Sequence, residues 1–181
     1  MGKTNLAQQK VKVPEDVEVT VRQSRISVKG PLGTLERDFA HAPVTIRLNG
    51  QEVIVESYWP DKRKIAMVGT VRSHIRNMIV GVLKGFTYKL KVVFAHFPVN
   101  VKVHGNEVVI ENFGGERRPR IVSIPKGVNV SIAGDDIILK GIDIQEVSQA
   151  AARIQQQTRI KKKDPRVFLD GIYIFERQEG M

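Results

Sequence analysis

The chain has 181 residues, 41% of them hydrophobic, and carries 29 Lys and Arg against 19 Asp and Glu, a formal net charge of +10. That length holds one domain or two small ones, and that hydrophobic share builds a core and excludes a disordered basic tail. A charge this large on a chain this size exceeds what solubility needs and selects a polyanionic partner, while the absence of cysteine excludes disulfides, a thiolate nucleophile and cysteine metal sites.

The N-terminal MGKTNLAQQKVKV has no apolar run of signal-peptide length, no later stretch approaches a membrane span, and position six is not the Ser or Thr of a myristoylation signal. The expectation is a cytoplasmic protein with no membrane partner. Residues 11–56 read as strands. Val17, Val19 and Val21 alternate with charged and polar residues, Ile26 and Val28 do the same, and Gln23-Ser24 makes the turn between them. Gly30-Pro31-Leu32-Gly33 breaks the pattern and leads to Thr34–Ala40. Val44, Ile46 and Leu48 alternate next, Asn49-Gly50 signals a hairpin, and Val53 and Val55 return from it. Pro14 and Pro43 fall at strand starts, where a missing N–H does least harm.

Tyr58-Trp59-Pro60-Asp61 changes the period. Ile65, Val68, Val71, Ile75, Met78, Ile79 and Val82 recur three or four apart, the apolar stripe of a helix of about five turns or more, with Asp61 as its N-terminal cap and Gly85 as its C-terminal one. Lys64, Arg72, Arg76 and Lys84 fall on its wet face. Phe86 to Phe97 is of strand type, and after it the order repeats. Val99, Val101 and Val103, the turn Gly105-Asn106, then Val108 and Ile110 echo the first hairpin. Phe113-Gly114-Gly115 takes the place of Pro31-Leu32-Gly33. Val128, Val130 and Ile132 with Gly134-Asp135 echo the second hairpin, and Ile144–Thr158 forms a second helix. A repeat of about eighty residues is too long for a solenoid unit and suits a duplicated small domain. The expected fold is therefore α+β: two similar domains, 1–85 and 86–181, each mostly antiparallel strands with one packed helix, the strand after Gly85 bridging the halves.

The most charged stretch closes the chain. Arg153, Arg159, Lys161, Lys162, Lys163 and Arg166 are opposed only by Asp164, so about half of the net +10 lies here. Pro165 is expected to stop the preceding helix and hold these cations in a tight loop. Asp170-Gly171 is expected to shape the return as a turn or bulge, with Gly171 free to take positive φ, before the strand Ile172–Phe175. Arg117, Arg118 and Arg120 with Lys126 form a second group, and Lys62, Arg63 and Lys64 a third. Each alone reads as a solvated charge run; three at loops or element ends of a +10 chain read as nucleic-acid binding. Aromatics are few and mostly within strand patterns, so phosphate and shape recognition of folded, double-helical RNA is expected over base stacking.

Catalysis has no such support. His41, His74, His96 and His104 are scattered without metal-ligand spacing, Asp135-Asp136 reads as turn chemistry, and no nucleophile-elbow, phosphate-loop or zinc-protease pattern occurs. No enzyme activity, cofactor, metal or small-molecule substrate is expected.

The segment QQTRIKKKDPRVFLDGIYIFER resembles the C-terminal signature of the archaeal and eukaryotic branch of the large-subunit ribosomal protein numbered six in bacteria: Gln156, Ile160, the lysines, Arg166, Phe168, Asp170-Gly171, Tyr173 and Arg177 carry the likeness. The run SHIRNMIVGVLKGFTYKLKVVFAHFPV is similar to that family's first helix and following strand. The bacterial Tyr-Lys-Gly-Lys-Gly loop is missing, which points to the archaeal or eukaryotic branch, and the short stretch after Arg177 leans toward the archaeal side. The resemblance implies a structural constituent of the large ribosomal subunit that binds large-subunit rRNA mainly through its second domain. It implies a place near the factor-binding region, the sarcin–ricin loop and the stalk base, with ribosomal proteins as neighbours. It also implies rRNA contacts at Lys161, Lys162, Lys163 and Arg166, supported by Arg159 and Arg153; Arg117, Arg118 and Arg120 fall outside the signature and stand as a candidate secondary patch on their charge alone. The residues alone leave a second reading open, a basic RNA- or DNA-binding module outside the ribosome.

Overall fold

Alternating apolar residues give strands here because one face of each must be buried, and the two stripes at helical spacing supply what covers them. The computed structural model of the chain describes residues 6–94, 97–160, 164 and 166–181. The chain divides into two compact units, Met1–Lys84 and Gly85–Met181.

In the first unit, β1 (Leu6–Lys12), β6 (Glu52–Tyr58) and β5 (Thr45–Asn49) form an antiparallel sheet in the order β1-β6-β5. The meander β2 (Glu18–Arg22), β3 (Arg25–Gly30) and β4 (Gly33–Asp38) forms a second sheet. Helix α1 (Lys62–Leu83) buries Val68, Val71, Ile75, Met78, Ile79 and Val82 against Ile26, Val28, Val53 and Val55, all of which are shut off from solvent. Burying each such side chain stabilises the fold by about 1.5–3 kcal/mol before conformational entropy is subtracted. Asp61 caps α1 by accepting from the Lys64 N–H at 2.7 Å, and Gly85, at φ +73, terminates it in the left-handed conformation that glycine adopts without strain. The helix end is also met from the side. The Leu32 N–H donates to the Val82 carbonyl at 3.0 Å, and a Cβ at Gly30 would lie 2.9 Å from both Val82 Cβ and that carbonyl oxygen. The Gly-Pro-Leu-Gly turn is therefore a packing contact on α1.

The second unit repeats this plan. β8 (Asn100–His104), β9 (Glu107–Glu111) and β10 (Arg120–Ser123) form the meander, while β11 (Val128–Ala133), β12 (Asp136–Gly141) and β7 (Phe86–Val93) match β5, β6 and β1 in order. Helix α2 (Ile144–Gln157) buries Val147, Ala150, Ala151 and Ile154 against Leu90, Ile137, Leu139 and Ile172. One strand has no counterpart among the described residues of the first unit: β13 (Gly171–Glu179) pairs antiparallel with β7 and forms the edge of a four-stranded sheet, β11-β12-β7-β13.

Several expectations are corrected. β7 does not bridge the halves; it hydrogen-bonds on both sides to strands of its own unit, as the counterpart of β1 with one strand added. Helix α2 ends at Gln157 with Thr158 as its cap, where the expected span Ile144–Thr158 places it; it is the stopping role given to Pro165 that is corrected, because the helix has ended before that residue. Gly171 opens β13 without a positive φ, and the bulge lies between Ile174 and Glu176. Ile65 and Leu48 are exposed rather than core residues, because each sits at an end of its element beyond the reach of the opposing layer.

Candidate nucleic-acid interface

The cationic segment begins where α2 stops. The helix starts at Asp143, whose carboxylate accepts from the Gln145 N–H at 2.8 Å, and its apolar face locks onto the sheet. That leaves Arg153 on the exposed side. At the other end Thr158 is 1% exposed. Its hydroxyl donates back to the carbonyls of Gln155, at 3.1 Å, and Ile154, at 3.3 Å, and accepts from the Ile172 N–H at 3.1 Å. Gln155 extends the tie, its Oε1 accepting from the Ile174 N–H at 3.1 Å. Ile172 and Ile174 lie on the free edge of β13, so these two helix side chains satisfy donors that the edge would otherwise present to solvent or to another strand. The two ends of segment 159–170 are thereby joined: the helix ends at Thr158, and the strand begins where the Ile172 N–H donates to that same residue.

Within the loop Arg159 is exposed and Ile160 packs on the core. Asp164, which counts in the sequence only as the single opposing charge, shapes the turn. Its carboxylate accepts from the Arg166 N–H at 2.9 Å, and its carbonyl accepts from the N–H groups of Val167, at 3.1 Å, and Phe168, at 3.0 Å. Arg166 is thereby presented to solvent. Asp170 is buried at the foot of β13. Lys161, Lys162, Lys163 and Pro165 lie outside the described residues.

The second basic group splits in two. Arg117 and Arg118 are exposed. Arg120 is engaged. Its Nε donates to Glu116 Oε2 at 2.9 Å and its Nη2 to Glu116 Oε1 at 2.5 Å, while Nη1 donates to the Gln157 carbonyl at 2.5 Å. The guanidinium lies 4.4 Å over the Phe113 ring. Arg120 thus satisfies a carbonyl at the C-terminal end of α2, where a cation also complements the helix dipole. The hydrogen bond from Arg120 holds the Glu116 carboxyl below the usual glutamate range against a smaller opposing effect of burial. This contact brings the second basic group to the base of the first. Arg120, Gln156, Gln157, Arg159 and Ile160 line one open cleft of about 450 Å³ at this end of the second unit. The third group, Lys62, Arg63 and Lys64, lies in the first turn of α1 in the other unit.

Among the described residues no three or more metal-ligating side chains converge, and no helix is long and apolar enough to cross a membrane. His74 is packed beside Phe39 with its Nδ1 2.8 Å from Arg37 Nη1, and His41 and His104 are exposed singly.

The roles of Thr158, Gln155 and Glu116 are not evident from sequence patterning. Asp before Pro is a turn signal, which made Asp164 findable. Thr158 and Gln155 act on partners more than a dozen residues away and leave no local signal.

Comparison with known proteins agrees with the duplicated fold. The ribosomal protein L6 family matches at residues 13–85 and again at 97–171, once within each unit. The large ribosomal subunit protein uL6 of Aeropyrum pernix is 50% identical over 171 residues, covering 94% of each chain. That of Desulfurococcus amylolyticus is 50% identical over 176 residues and 96% of each, and that of Methanosarcina mazei 44% identical over 167 residues, 92% of this chain and 95% of the relative. With a match in both halves and archaeal relatives at this identity over nearly the whole length, the chain belongs to the ribosomal protein L6 family, in its archaeal branch.

Proposed function

We propose that the second domain, 86–181, reads large-subunit rRNA through the loop that Thr158 closes. As a member of its family the chain is a structural constituent of the large ribosomal subunit and not an enzyme, and its place is the ribosome in the cytoplasm. Lys161, Lys162, Lys163, Arg166 and Arg159 are the principal phosphate contacts in this reading, with Arg153, Arg117 and Arg118 at the margin and Arg120 as the strut beneath. The family resemblance supports a position near the factor-binding region, at the sarcin–ricin loop and the base of the stalk, with ribosomal proteins as neighbours there.

The observation that carries the reading is that the chain on either side of segment 159–170 is tied together, by Thr158 to Ile172 and by Gln155 to Ile174. A cationic tail free at one end loses more entropy on meeting phosphates than a segment whose two ends are already fixed. The test is the salt dependence of binding to large-subunit rRNA. Replacing Lys161, Lys162, Lys163 and Arg166 together by Ala lowers the slope of log K against log salt by roughly 0.7–0.9 for each phosphate no longer neutralised. An unchanged slope would move the phosphate reader elsewhere.

A further inference from the structure

The first unit carries an aromatic that the fold does not use. Trp59, the single tryptophan of the chain, is 73% exposed, more than any other large hydrophobic side chain among the described residues. It stands between β6 and α1 at φ +49, a left-handed conformation unusual for a bulky residue. Tyr58 beside it is half exposed, its hydroxyl donating to Glu56 at 3.2 Å.

The charges near this ring that have no partner are cationic. Lys62 and Arg63 follow it in the first turn of α1, are exposed, and have no ion-pair partner among the described residues. The neighbouring acids are committed: Asp61 accepts from the Lys64 N–H at 2.7 Å, and Glu56 is buried against Arg47 Nε at 3.2 Å. No acidic side chain occupies the first turn of α1, where lysine and arginine oppose the helix dipole. An exposed π-face flanked by uncommitted cations is the arrangement that holds an unpaired nucleotide, the base stacking on the ring and its phosphates meeting the cations. A protein partner would have to bring both an apolar surface and excess acid; single-stranded RNA brings both features in every nucleotide.

We propose that Trp59, Lys62 and Arg63 form a second RNA-contacting surface, on the first unit, which stacks an unpaired base of single-stranded RNA. It rests on the rRNA-binding reading above but is separate from the loop of the second unit, and it adds base stacking to the phosphate and shape recognition that the sequence favours.

Because Trp59 is the only indole, its fluorescence reports this surface alone. The full chain, at low salt, is titrated with a short oligoadenylate and with a blunt RNA duplex of equal charge, binding being followed independently by the anisotropy of a dye on the RNA. The oligoadenylate is expected to quench Trp59 and shield it from acrylamide, and the duplex to bind without doing so. Trp59→Ala is expected to weaken oligoadenylate binding by about tenfold, the order found for one stacked base, and to leave duplex binding unchanged. Trp59→Phe retains a ring and restores most of the loss. The quench is expected to persist when Lys161, Lys162, Lys163 and Arg166 are all alanine, and to weaken in Lys62→Ala with Arg63→Ala. Oligoadenylate bound by anisotropy with Trp59 emission unmoved would overturn the proposal and leave the loop of the second unit as the sole reader. A Trp59 response to polyglutamate but not to oligoadenylate would overturn it in favour of an acidic protein partner. Failure of both RNAs to bind would overturn this proposal and the rRNA-binding reading together.

Discussion

Thr158→Val isolates the loop closure with little change in shape. Valine keeps the volume of a side chain that is 1% exposed, so no cavity opens, and only the hydroxyl is removed. The Ile172 N–H, 3.1 Å from that hydroxyl and on a residue wholly shut off from solvent, is then left without its acceptor. An orphaned buried donor costs about 1–3 kcal/mol, and the Ile154 carbonyl keeps its bond from the Thr158 N–H, so about 2 kcal/mol is expected. A domain of this size loses roughly 4–8 °C per kcal/mol, which lowers the midpoint of the second unit by roughly 8–16 °C. Thr158→Ser keeps the hydroxyl and gives up one methyl, at a cost of about 1 kcal/mol. The assay is urea denaturation of both variants combined with hydrogen exchange at Ile172. The amide of Ile172 is expected to lose protection in Thr158→Val and keep it in Thr158→Ser. Equal destabilisation by the two variants, or an unmoved Ile172 amide, would refute the clamp.

Other expectations follow from the same interactions. Arg120→Lys keeps the charge but loses the fork onto Glu116, the bond to the Gln157 carbonyl and the stacking on Phe113; it is expected to lower stability by about 1–2 kcal/mol in urea denaturation while leaving the salt slope of RNA binding unchanged. Gly30→Ala brings a methyl to 2.9 Å from Val82 Cβ and the Val82 carbonyl oxygen, so the turn must shift off α1, at about 1–3 kcal/mol by thermal denaturation. The Glu116 carboxyl is held low in the folded state by Arg120, so the folded protein binds fewer protons there than the unfolded one. The stability it contributes is present above the ordinary glutamate range and is lost as pH falls through the lowered folded value. Melting curves across that window are expected to show a small acid loss that Glu116→Gln removes and added salt diminishes, the pair being partly exposed.

What the sequence revealed, and what it hid, divides along physical lines. The stripe from Val68 to Val82 and the alternation of Ile26 with Val28 are local patterns, and both elements form where they are expected. The duplication was legible because the turn residues punctuate both copies in the same order. β1 was largely hidden: of LAQQKVK only Val11 is buried, so pairing with β6 organises a stretch whose own hydrophobic alternation is faint. Arg120 resembles its exposed neighbours Arg117 and Arg118 in sequence and differs from them through Glu116, Phe113 and Gln157, the last of which lies 37 residues away. The loop closure was hidden for the same reason. The helix ends at Thr158 as its periodicity has it, but the bond that Thr158 accepts from a strand amide fourteen residues further on leaves no local signal.

The most direct test of the whole account is sedimentation of the tagged chain from a cell lysate through a magnesium-containing sucrose gradient after a moderate-salt wash. The account predicts that the chain travels with the large subunit, is released by ribonuclease, and shifts to the top of the gradient when Lys161, Lys162, Lys163 and Arg166 are alanine. A chain that stays at the top unmutated while still binding RNA on a column would contradict it and make this a basic RNA-binding module working off the ribosome.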